Sequence, residues 1–122
     1  MVSNEKKAFI EKMKARSKKF AIDVILFTES MKKKEPSEGT TYQLVKSASS
    51  VAANYGAACI ARSKKEFFSK MCIVVEEADE SEFWLDIIYQ TNMSNDLTTC
   101  LKLQSEALEL TKIMAKAKSS MY

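Results

Sequence analysis

Large apolar residues recur at steps of three and four along four separate stretches of the chain, with charged or small residues between them. Phe9, Met13, Phe20, Val24, Phe27 and Met31 form the first series, set among lysines, and predict an amphipathic helix over residues 4–33. The segment KKKEPSEGT is expected to stop it: Glu35 precedes a proline and is pushed out of helical geometry, and Gly39 loosens the turn. A second helix is predicted over residues 40–61, with Leu44, Ala48, Val51, Tyr55 and Ala58 as its core stripe. Most of its remaining surface is small (Ser47, Ser49, Ser50, Ala52, Ala53, Gly56, Ala57, Ala61), which suits a helix packed closely on more than one side.

The third helix is predicted over residues 63–91. Ser63 and Glu66 have the S-x-x-E spacing of a capping box, in which the hydroxyl takes an orphan N–H and the glutamate reaches back. Phe67, Met71, Val74, Ala78, Leu85 and Ile88 follow in a seven-residue repeat, with Ser81 filling one position. The fourth helix, over residues 96–118, carries Cys100, Leu103, Ala107, Leu110, Met114 and Ala117 on one face and expects Ser94 or Asn95 as its cap. Short connections make consecutive helices antiparallel, so the fold class is all-α: an up-down four-helix bundle in a single domain, residues 1–122.

Composition supports this and narrows the chemistry. Two glycines and one proline in 122 residues are too few for an all-β chain, which turns often. No stretch reaches the ~20 apolar residues of a membrane span, and nothing resembles a signal peptide, so a cytoplasmic protein is expected. Cys59, Cys72 and Cys100 have no CxxC spacing and read as small hydrophobes in a reducing compartment. There is no histidine, which removes the commonest general acid/base, the Ser-His and Cys-His pairs and most zinc or di-iron sites. No catalytic residue, cofactor or metal is expected.

Charge is unevenly spread. Residues 1–34 carry ten Lys/Arg against four acids, whereas residues 76–122 carry nine acids against four lysines. On a helix, Ile73, Glu77, Glu80, Trp84 and Ile87 form one line, and Glu76, Asp79, Phe83 and Asp86 another. Carboxylates set among large apolar groups need partners. Arg62 is the expected one, because its planar fork can hold Glu76, Glu77 or Glu80 bidentately, within a subunit or between subunits; Asn54 could join the same network. A carboxylate metal site, an acid/base pair and a solvated acidic face are the alternatives.

The stretch SVAANYGAACIARSKKEFFSKMCIVVEEADESEFWL, Ser50 to Leu85, resembles the signature of bacterial four-helix-bundle proteins related to the 23S rRNA intervening-sequence protein. The similarity lies in Ser50, Val51, Ala53, Asn54 and Tyr55, in Ala61 to Lys64 with Glu66 and Phe67, and in Glu76 to Glu80 with Trp84 and Leu85. The resemblance implies a bundle that assembles as a homopentamer without established enzymatic activity, linked by gene context and analogy to ribosomal RNA and nucleic acid. Function is therefore expected to be a non-enzymatic homo-oligomeric bundle that binds structured RNA or a ribonucleoprotein through its basic first helix. Lys12, Arg16 and Lys19, on one side of that helix, are the expected phosphate contacts. The alternative is a protein–protein scaffold or accessory subunit with no nucleic-acid binding. Neither reading calls for a membrane or a small-molecule substrate.

Overall fold

The computed structural model describes residues 3–31 and 37–120, and these form four helices joined by short connections. They are α1 (Asn4–Glu29), α2 (Ser37–Cys59), α3 (Lys64–Gln90) and α4 (Leu97–Ser120). Each packs on its sequence neighbours and α1 closes on α4, while the backbones of the diagonal pairs α1–α3 and α2–α4 stay more than 8 Å apart. Cross-helix contacts run in opposite directions: Arg16 meets Glu106, while further along α1 Asp23 and Leu26 share a groove with Asp96 and Thr99. Ser47 meets Ser81 between α2 and α3, and Cys100 meets Leu85 between α3 and α4. The arrangement is an antiparallel four-helix bundle, with α1–α4 its thinnest seam.

Every residue of the four predicted stripes lies in one continuous core except Phe9, which packs half-buried against it. Met13, Phe20, Val24 and Phe27 of α1 meet Leu44, Ala48, Val51 and Tyr55 of α2. Phe67, Met71, Val74, Ala78, Leu85 and Ile88 of α3 complete the interior with Cys100 to Ala117 of α4. Ser81 is fully buried in the stripe position it was expected to fill. Its hydroxyl bonds the Glu77 carbonyl and lies 2.9 Å from the equally buried Ser47 hydroxyl, so both polar groups are satisfied inside the core.

The helix ends depart from expectation by a few residues. α1 ends at Glu29, with Ser30 as its C-cap, before the expected residue 33; the expected stop at Glu35–Pro36 lies outside the described residues. α2 begins at Ser37, so Gly39 sits in its first turn and does not loosen a loop. It ends at Cys59, two residues early. Ser63 caps α3 as expected, accepting the Glu66 N–H at 3.0 Å. Glu66 reaches back one residue further than the box predicts and takes the Arg62 N–H at 2.8 Å.

α3 ends in a Schellman turn. Asn92 adopts a positive φ of 54°, the Met93 N–H returns to the Ile88 carbonyl and the Asn92 N–H to the Tyr89 carbonyl. The cap of α4 is Asp96, not Ser94 or Asn95. Its carboxylate accepts from the Thr99 N–H and hydroxyl at 3.1 and 2.6 Å, and Ser94 serves the turn by accepting the Asp96 N–H.

Candidate interaction surfaces

The site residues expected from sequence fall on three outer surfaces. The first is the start of α1. Arg16 lies against α4, where its guanidinium donates from Nε and Nη2 to the two carboxylate oxygens of Glu106, both at 2.7 Å, and from Nη2 to Glu109 at 3.2 Å. This bidentate grip, led by the Glu106 hydrogen bonds, raises the guanidinium further above its already high pKa. Lys19 donates to Asp23 at 2.6 Å, which raises its pKa as well. Lys12 is exposed. The three expected phosphate contacts therefore differ in what already holds them: Arg16 closes the α1–α4 seam, Lys19 has a carboxylate one turn away, and Lys12 stands open. No local pattern marks Glu106 as the partner, since it lies 90 residues along the chain.

The second surface holds Arg62. Its side chain is 90% exposed and turns back to Glu66 at 3.4 Å. It reaches none of Glu76, Glu77 and Glu80 within the chain, because it sits in the α2–α3 connection while those acids begin more than two turns along α3. The Arg62 N–H, more than the side chain, holds the Glu66 carboxyl below its ordinary range. Asn54 also stays local, donating to the Ser50 carbonyl and hydroxyl at 3.0 and 2.8 Å. The within-chain form of the expected network is therefore replaced by two short-range clusters.

The third surface is the outside of α3. Glu76 and Asp79 are exposed, and Glu77 and Glu80 are half-buried. Among the described residues none of the four has a cation within 4.0 Å. Glu80 accepts instead from the Trp84 indole N–H at 3.2 Å, and Trp84 meets Phe83 edge-on, with ring centroids 4.9 Å apart. Ile73 and Phe83 are 37% and 53% exposed beside these acids. Among the described residues no group of three or more potential ligands converges to hold a metal ion, so the carboxylate-metal alternative has no geometry here.

The same counting that found the core stripes also finds an outer one on α1. Ala8, Lys12, Ala15, Lys19, Ile22 and Leu26 step by four and three, and all six are exposed. The small face of α2 is likewise less enclosed than expected. A Cβ at Gly56 would meet nothing within 4 Å, so no helix of the same chain needs the glycine there.

Comparison with known proteins settles the family. A family model described as 23S rRNA-intervening sequence protein matches residues 11–116. The chain belongs to that family. A crystal structure of a protein of unknown function from the S23 ribosomal protein family of Bacteroides thetaiotaomicron is similar with a TM-score of 0.77 and 21% identity. The match covers 91% of this chain and 98% of that one, and at this identity it speaks for the fold. No curated protein matches. The family match spans both α1, apart from its first turns, and the acidic helix α3. Among the described residues no helix is long and apolar enough to cross a membrane.

Proposed function

We propose that this family member is a non-enzymatic homo-oligomeric bundle, with five copies the expected number, that contacts the phosphate backbone of structured RNA through the start of α1. The observation that carries the nucleic-acid part is the charge of residues 3–19, where seven Lys/Arg face two acids. Arg16 is engaged by Glu106, and Lys12 and Lys19 lie on a separate stripe of the helix, so the contacts proposed are Lys7, Lys14 and Lys18, which form a line of their own. Lys7 and Lys18 are exposed, and Lys14 keeps only a loose 3.8 Å pair with Glu11. A surface of this kind reads charge and shape with little base preference. Repetition in an oligomer would let weak copies act together.

Fluorescence anisotropy with a duplex RNA and a single strand across a salt series tests this. Log affinity is expected to fall linearly with log salt, by roughly 0.9 per duplex phosphate neutralised in the B-DNA limit and roughly 0.7 for a single strand. The Lys7→Glu, Lys14→Glu, Lys18→Glu variant is expected to flatten the slope. Absence of binding at low salt would leave the scaffold reading, which the apolar outer faces of α1 and α3 favour independently.

A further inference from the structure

We infer that the outer face of α1 in one copy docks, parallel and in register, on the outer face of α3 in a second copy. The inference rests on the self-assembly proposed above and names its surface. The α1 stripe is Ala8, Lys12, Ala15, Lys19, Ile22 and Leu26; on α3, Ser69, Ile73, Glu76, Glu80, Phe83 and Ile87 follow the same four-three steps. All twelve are exposed except the half-buried Glu80 and Ile87, although both helices also carry a buried core stripe. Each stripe runs about 27 Å at 1.5 Å per residue.

What the two stripes carry is complementary. Laid parallel from Ala8 beside Ser69, Lys19 comes level with Glu80, Ile22 with Phe83, and Leu26 with Ile87; Lys12 lies one turn below Glu76. Charge meets opposite charge in the middle, and apolar meets apolar at one end. The small Ala8 and Ala15 admit close approach of the backbones at the other. Apolar and oppositely charged positions combined on one seam in this way fix partner and register in helix pairing. Ile22 and Leu26 are 47% and 63% exposed, unusual for large aliphatic side chains arrayed along one line.

Other occupants fit less well. Two α1 faces together would gather four lysines in one seam, and two α3 faces four glutamates, which like-charge repulsion disfavours. Nucleic acid would be repelled by α3 and has no use for the aliphatic end of α1. The bundle supplies the geometry. α1 and α3 run in the same direction and occupy diagonal corners, so a rotation about an axis along the bundle brings one copy's α1 parallel to the next copy's α3. Such a contact is heterologous, and it propagates until the rotation closes a ring.

Sedimentation velocity of the full chain at tens of micromolar tests the surface. The parent is expected to sediment as an oligomer. Lys12→Glu with Lys19→Glu, and separately Glu76→Lys with Glu80→Lys, are each expected to weaken association at least tenfold, and the combined fourfold variant to restore the parent mass. Phe83→Ser, which changes a side chain 53% exposed in the protomer, is a second route to dissociation if a reversal perturbs folding by circular dichroism. A monomeric parent overturns the self-assembly reading, and this surface with it. An oligomeric parent whose one-sided reversals and Phe83→Ser keep its mass overturns the surface alone. Failure of the fourfold variant to reassemble while folded overturns the charge matching.

Discussion

The two long faces of α3 have the same spacing and opposite chemistry. Inside, Phe67, Met71, Val74, Ala78, Ser81, Leu85 and Ile88 are all buried and carry no charge. Outside, Ser69, Ile73, Glu76, Glu80, Phe83 and Ile87 keep the same steps, but two carboxylates sit between the apolar groups. A purely apolar second stripe would make the protomer insoluble or scramble its helix order. Carboxylates between the apolar groups keep it wet in the single chain and suit an oppositely charged face. The spacing of a helix face therefore says that it packs; its charge says whether it packs within the chain.

The comparison is most easily broken on the inside. Leu85 is fully buried, and Leu85→Ala should cost roughly 2–5 kcal/mol in chemical denaturation, in the range of other core truncations. A loss under about 0.5 kcal/mol would mean that the interior is not close-packed. The buried Ser47–Ser81 pair sharpens the point. Each single Ser→Ala change should cost about 1 kcal/mol, and the double variant less than the sum, because each hydroxyl lies on the other as well as on its own helix. Strict additivity would show that the two hydroxyls do not interact.

Smaller still is the α1–α4 seam. Arg16→Ala should cost up to about 1 kcal/mol, since the pair with Glu106 is bidentate but keeps about a quarter of each side chain in water. The loss should shrink at high salt, and a salt-independent loss would mean packing rather than charge. The pH dependence is the subtlest effect. Burial pushes the Cys100 thiol up to about 11 from 9.0 and raises the Tyr55 phenol above its ordinary 10.0. A pKa raised on folding contributes stability below the unfolded value and loses it as pH climbs towards the folded one. Melting temperature should therefore begin to fall above about pH 9, and Cys100→Ala should lessen the fall between 9 and 11. An unchanged alkaline limb in that variant would assign it to other groups.

The core was legible because helix burial is periodic: three- and four-residue steps mark nearly every buried apolar position from Met13 to Ala117. Caps were legible where side chain and backbone are neighbours, as at Ser63 and Glu66, and less so where several candidates adjoin, as with Ser94, Asn95 and Asp96. The ion pairs were not. Arg62 had a nearer carboxylate in Glu66 than in the acids further along α3, and Arg16 had a partner that only folding brings close. Sequence order carries no distance across a bundle, so long-range charge pairs had to await the structure. The outer stripe of α1 was within reach of the same periodic count, but its lysines drew attention to phosphate instead.

A covalent cross-link tests the pairing of α1 with α3 most directly. In a chain with Cys59 and Cys72 replaced by serine, Leu26→Cys and Ile87→Cys should oxidise into a ladder of linked chains, since facing positions of a parallel helix pair fall within disulfide reach. The link cannot form inside one chain, because the α1 and α3 backbones stay more than 8 Å apart there, beyond disulfide reach. Leu26→Cys with Ser69→Cys, the pair that an antiparallel register would join, should stay uncross-linked. Absence of a ladder in the first chain, or its appearance only in the second, would contradict the account.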